Sequence, residues 1–166
     1  VSFFVLGHVT EGLVRYDRRG KLAPGIATDW VQKDRTIRFN LRKNARWSDG
    51  SAVTAHDFVF SWRQMNNPDV ASPYASIMDP IKNAKKIQAG ELPLSALGIT
   101  AVDDFTLKVD LERPCGYCIT VMNHAVFYPI KQTFYEAQGE RYGAEVSNLL
   151  YNGPFKLSSW VHDAEM

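Results

Sequence analysis

Thr36-Ile37-Arg38-Phe39-Asn40-Leu41-Arg42 alternates strictly. Ile37, Phe39 and Leu41 fall on one side of an extended chain, and Arg38, Asn40 and Arg42 on the other. That division describes a strand with one buried face and one wet face. The same alternation returns at Phe105, Leu107, Val109 and Leu111, with Thr106, Lys108 and Asp110 opposite, so the two strands are expected to share a sheet. Between them, Thr54-Ala55-His56-Asp57 has the form of a capping box whose acid suits a helix N-terminus. The helix expected from about Ala55 carries Phe58, Ser61, Trp62 and Met65 on one face, which should lie on the sheet, and Asn66-Asn67-Pro68 stops it.

Working outward, Phe3, Leu6, Val9 and Leu13 stand at helical spacing within residues 2–14, a pattern that Gly12 weakens before the turn signals Asp17 and Gly20. Ala23-Pro24-Gly25 reads as a turn, residues 26–32 as a short extended run, and Ser48-Asp49-Gly50 as a tight turn. Residues 73–78 and 84–91 are expected to form short helices, and residues 94–98 a turn leading into the second alternating strand. Beyond Pro114 the pattern predicts a short helix over 117–122, a buried strand over 125–130, an amphipathic helix over 132–142 and an extended run over 154–161. No internal repeat and no Gly/Ser- or Pro-rich linker divides the chain. Residues 164–166 follow the last extended run without a tail composition, so the natural chain is expected to continue.

A chain of 166 residues, 45% hydrophobic, 22% charged and 12% aromatic, has the composition of a folded protein with one sizeable core or two small ones. Nineteen Lys plus Arg against eighteen Asp plus Glu give a net charge of +1, which supplies no field to attract nucleic acid or an anionic membrane. The basic groups Arg15/Arg18/Arg19 and Lys82/Lys85/Lys86 alternate with acidic or apolar residues and read as solvated faces. The longest apolar runs fall well short of the ~20 residues that cross a bilayer, and no export signal opens the sequence.

Little in the sequence looks catalytic. His8, His56 and His162 stand apart from any nucleophile motif, and there is no Gly-x-Ser-x-Gly, no phosphate-cradling glycine loop and no acidic pair set on a helix face. No cofactor pattern is present. Trp47 and Trp62 lie in turn and helix contexts that predict packing rather than stacking on sugars or bases. Cys115-Gly116-Tyr117-Cys118 is the one motif with latent chemistry. Three readings stand open for it: thiol-disulfide exchange, a local disulfide in an oxidising compartment, or two half-buried thiols. Its position after Arg113-Pro114, late in a β-rich stretch, is not where thioredoxin-like proteins carry it. Zinc would need two further ligands, and His124, six residues after Cys118, is not at the usual paired spacing.

From Glu11 to Trp160 the chain also carries a series of motifs in a fixed order. These are Glu11-Gly12-Leu13, Leu22-Ala23-Pro24-Gly25-Ile26-Ala27 with Trp30, and the run from Phe39 through Arg46-Trp47-Ser48-Asp49-Gly50. Thr54 to Trp62, Ser72-Pro73-Tyr74-Ala75-Ser76 and Asn152-Gly153-Pro154-Phe155 complete the set. This series resembles the oligopeptide-binding family of solute receptors that serve ABC importers.

The resemblance implies a mixed α/β, periplasmic-binding-protein-like II fold in which two lobes close over a solute and a small extra domain is attached to the first lobe. Residues 11–134 would correspond to that extra domain, and residues 1–10 and 135–166 to parts of the first lobe. The second lobe would be absent, so the isolated chain is expected to bind peptide weakly or not at all. The implied partners are a peptide or related small solute and a membrane permease. The implied location is the periplasm or cell surface, with a lipoprotein anchor open to the parent.

The resemblance also implies a place for Tyr74 near the peptide's amino-terminal end, against the alternative that it only packs its own segment. His124 would face the cleft side, against the alternative of a hydrogen-bonded structural histidine. Asn152-Gly153 reads as the turn by which the chain re-enters the first lobe, with glycine permitting positive φ. The competing overall readings are a structural or protein-interaction module, or a thiol-redox protein using Cys115 and Cys118.

Overall fold

The computed structural model describes residues 3–159, with side chains from residue 5 onward. The two alternating strands pair directly. β3 (Ala27–Lys33), β4 (Thr36–Leu41), β5 (Ile99–Asp103) and β6 (Thr106–Asp110) form an antiparallel sheet in the order β3-β4-β6-β5. Ile37 stands opposite Val109 and Phe39 opposite Leu107, so the apolar residues of both strands share one face and are buried completely. On the other face, Arg38 stands opposite Lys108, and the Thr36 hydroxyl donates to Asp110 Oδ1 at 2.9 Å.

Helix α2 (Ala55–Met65) covers the apolar face. Thr54 holds extended backbone at φ −125°, and its N–H donates to Asp57 Oδ2 at 2.9 Å, the reciprocal half of the expected capping box. Phe58, Ser61 and Trp62 are buried and Met65 packs against the core, so the stripe faces as the spacing predicts. Trp62 touches no solvent. Its indole N–H donates to the Phe127 carbonyl at 2.9 Å, and the Ser61 hydroxyl donates to the Tyr128 carbonyl at 2.6 Å. The Trp62 and Phe127 rings meet edge to face at 5.0 Å.

These bonds explain one departure from expectation. Residues 125–130 are not a strand: Ala125–Phe127 form a single 3-10 turn, and the chain then runs extended without a ladder. Two of its carbonyls are taken by side chains of α2, and Pro129 has no N–H to offer, so the segment follows the helix instead of a strand partner.

Other differences have local causes. β5 follows the turn expected at 94–98 and was not foreseen as a strand; a register shift between Ala101 and Asp103 breaks its alternation. Helix α1 (Phe3–Val9) stops short of Leu13, and the next residues enter a small hairpin of β1 (Val14–Tyr16) and β2 (Leu22–Pro24). Its turn is held by Asp17 Oδ1, which accepts from the N–H groups of Arg19 and Lys21. Ile26 N–H donates to the Gly12 carbonyl at 2.8 Å, and glycine is needed there because a Cβ would come within 2.9 Å of the Tyr128 ring. The expected helices at 84–91 and 117–122 are the short α3 (Ala84–Gln88) and α4 (Cys118–Val121), and that at 73–78 is a 3-10 turn over Ala75–Met78. Helix α5 (Gln132–Gln138) ends before Tyr142, where Gly139 turns the chain at φ +55°. Residues 154–159 pair with no strand among the described residues, and the rest of the run expected at 154–161 lies outside them.

Trp62→Phe keeps most of the ring and deletes the donor, leaving the Phe127 carbonyl buried and unpaired. It is expected to lower stability by about 1–3 kcal/mol in urea unfolding; a shift within error would mean that this bond does not hold α2 to the loop.

Candidate functional site

A recess of about 360 Å³ opens where the end of α1, helix α2, the 125–130 segment and the returning chain at 142–151 converge. Its floor is apolar, with Val9, Met65, Val126 and Ile130 among its lining, and four tyrosines stand around it: Tyr74, Tyr128, Tyr142 and Tyr151. Burial pushes the Tyr142 phenol up to about 12, with Tyr135 adding to it; these two rings lie 4.9 Å apart. Tyr128 is raised by burial and by the nearby Glu11 charge, and Tyr151 by burial. All three phenols stay neutral and offer O–H groups as donors. The Tyr151 hydroxyl donates to the Val146 carbonyl at 3.3 Å. The Tyr128 ring lies so close to Gly12 that a Cβ there would come within 2.9 Å of it.

Tyr74 lines this recess at 45% exposure, and its carbonyl accepts from Ile77 N–H, starting the Ala75–Met78 turn. His124 does not line it. Its Nδ1 accepts from Val126 N–H at 3.3 Å, capping the turn that sets Ala125 and Val126 on the wall. Tyr74 thus meets the recess directly, and His124 meets it through the backbone it caps.

The rim is tied to the Ser48-Asp49-Gly50 turn. Ser48 N–H donates to the Tyr151 carbonyl at 2.6 Å, and Tyr151 N–H donates back to the Ser48 hydroxyl at 3.1 Å. Lys131, at the start of α5, donates to Asp49 Oδ2 at 2.9 Å and to the Ser51 hydroxyl. Asp49 is held low, at about 2, chiefly by its hydrogen bond from Ser51, with Lys131 assisting against burial. Asp57 moves the other way: burial raises it, against hydrogen bonds from Thr54 N–H and the Trp47 indole.

Asn152 joins the two ends of the described chain. Its Oδ1 accepts from Glu11 N–H and its Nδ2 donates to the Glu11 carbonyl, both at 3.0 Å, and Gly153 N–H donates to the Val9 carbonyl at 2.9 Å. Positive φ is not the reason for Gly153, which is absent from the residues that adopt it. A Cβ there would stand 2.6 Å from the Val9 carbonyl carbon and 2.8 Å from Thr10 N, so glycine is required by the approach of two backbones.

Cys115 and Cys118 are joined as a disulfide with Cα atoms 5.6 Å apart, and the Gln32 side chain donates to the Cys115 carbonyl at 2.8 Å. His56 faces Asp104 at 3.3 Å on the surface, and His162 lies outside the described residues. Among the described residues, no three His, Cys, Asp or Glu side chains gather as a metal site, and no helix is long and apolar enough to cross a membrane. The aromatic surround of the recess was not foreseen, because Tyr128, Tyr142 and Tyr151 come together only through tertiary packing.

A sheet backed by one capped helix thus carries an aromatic recess between that helix and the returning chain. The pattern of bacterial extracellular solute-binding proteins, family 5 Middle, matches residues 21–166, and the chain belongs to that family. It is 41% identical over 154 residues to the periplasmic oligopeptide-binding protein OppA of Salmonella typhimurium, covering 91% of this chain and 28% of that protein. It superposes with a TM-score of 0.93 and 41% identity on the substrate-binding domain of an oligopeptide ABC transporter from Bacillus anthracis, covering 95% of this chain and 31% of the other. The Listeria monocytogenes OppA solved bound to peptide matches at TM-score 0.91 and 38% identity, covering 94% and 31%. The chain therefore spans under a third of the length of these relatives.

Two tests follow. Gly153→Ala should lower stability by about 1–3 kcal/mol in urea unfolding, since the added methyl meets backbone on both sides; an unchanged midpoint would mean that the approach is loose. The two aspartates should tilt the pH profile oppositely. Asp49 adds stability that is present above its ordinary 3.8 and lost as pH falls toward about 2, so wild type should lose its advantage over Asp49→Asn on acidification. Asp57 holds its proton more tightly folded than unfolded, so wild type should lose stability relative to Asp57→Asn as pH rises through 3.8 and above. Parallel profiles for wild type and both variants would contradict the assignment.

Proposed function

We propose that this chain is the scaffold portion of a receptor that captures oligopeptides outside the cytoplasm and delivers them to the permease of an ABC importer. The observation that carries this is the close match, at 38% identity, to a receptor solved with peptide bound. The family's extracellular description and its periplasmic relatives support the location. The work is non-covalent: backbone hydrogen bonding along an extended ligand, adaptable hydrated pockets, and hinge closure between lobes. No catalytic step is assigned.

Within that receptor, residues 11–134 form the small extra domain, and residues 1–10 and 135–166 belong to the first lobe. Support comes from the core: its buried cluster runs from Leu13 to Phe127, while Val9 and Tyr151 are buried outside it. Tyr74 sits toward the amino-terminal end of the peptide, where a half-exposed phenol on an apolar recess can pack and hydrogen-bond together. His124 acts on ligand binding by holding the wall of the recess.

Calorimetric titration of short peptides into the gene product that carries this chain tests the reading. Tyr74→Ala should weaken binding about tenfold, roughly 1.4 kcal/mol, without moving the urea midpoint. A gene product that ignores every peptide would remove the transport role, and unaltered affinity in Tyr74→Ala would remove Tyr74 from the site.

A further inference from the structure

The disulfide is the one motif that solute capture leaves unused, and its two halves meet different surroundings. Cys115 lines an open groove of about 700 Å³, together with Asp79, Lys85, Lys86, Arg113 and Tyr117, none of which lines the recess. Cys118 lines a separate apolar crevice of about 10 Å³ with Ile81, Leu111, Met122 and Phe127, with room for about one water molecule. Tyr117, inside the four-residue ring, is 63% exposed. Cys115 is 7% exposed and Cys118 3%, so both are largely buried and the groove is the wider of the two approaches.

The charges of the groove are unevenly committed. Asp79 pairs with Lys85 at 3.5 Å, and Glu112 accepts from Asn83 N–H at 2.6 Å. Lys86 and Arg113 enter no ion pair among the described residues. Their surplus positive field should concentrate anions beside Cys115.

Thiol-disulfide exchange depends on which sulfur an incoming thiolate can reach and which one must leave. We propose that Cys115 is a thiol-exchange site for small thiols that carry carboxylates. The external thiolate sulfur bonds to Cys115 Sγ as the Cys115–Cys118 bond breaks. The departing electron pair goes to Cys118 Sγ, which takes a proton from water. One disulfide is consumed and one mixed disulfide forms, so no net oxidant is required. Cys118 stays in its crevice as a neutral thiol, a state that an apolar site accommodates far better than a thiolate.

Reduced glutathione serves as the anionic probe and 2-mercaptoethanol as the neutral one. After brief incubation with glutathione, acid quenching and alkylation with iodoacetamide, peptide mass spectrometry should find the glutathionyl group on Cys115 and the alkyl group on Cys118. The reverse placement or equal labelling overturns the proposal. Should the adduct resolve too fast to trap, the single variants decide. Cys118→Ser, exposing Cys115 alone, should react with glutathione disulfide at least about ten times faster than Cys115→Ser, with circular dichroism showing both folded; equal rates overturn the site. The double variant Lys86→Glu/Arg113→Glu should slow glutathione about threefold to tenfold at low salt and leave 2-mercaptoethanol unchanged; the same effect on both thiols overturns the choice of an anionic partner.

Discussion

Two side-chain donors on one helix organise the molecule. Ser61 and the Trp62 indole reach from α2 to consecutive carbonyls of the 125–130 segment, while the rest of the same helical face is buried on the sheet. An unpaired buried carbonyl costs more than a satisfied one gains, so the segment must lie where those donors are. Val126 and Tyr128 then fall on the wall of the recess. The recess is thus positioned by α2, which the sheet positions in turn.

A single lysine serves two acids at the rim of that recess. Asp49, near the surface, gains donors faster than it loses water, and its charged form is favoured. Asp57, at the N-terminus of α2, has the indole of Trp47 and the Thr54 amide but little water, and its charged form is penalised. The Lys131 charge stabilises both carboxylates. It therefore couples the turn, the start of α2 and the start of α5 into one electrostatic unit.

Elements whose pattern is local could be read from the residues. β4, β6 and α2 announce themselves by a period of two or by a cap followed by a stripe. β1 and β2, at three residues each, are too short to show a period, and the bulge in β5 erases one. The apolar run at 125–130 carried no sign that its partners are the side chains of Ser61 and Trp62, more than sixty residues earlier. The site was harder still. Tyr74 was reached through resemblance, the other tyrosines of the recess not at all, and Gly153 for the wrong physical reason. Close approach of two backbones leaves no mark in composition, whereas a turn does. The order of motifs, most of them turns and caps, carried the family and said little of what surrounds the recess.

The bond between Asn152 and Glu11 links residues 141 positions apart. A ribosome completes the first partner 141 residues before the second, so the seam along α1 stays open while that stretch is made. During that interval Val9 and Met65, the early half of the recess floor, have no cover from the returning chain. Until residues 142–151 return, those two side chains are exposed apolar surface on the growing chain.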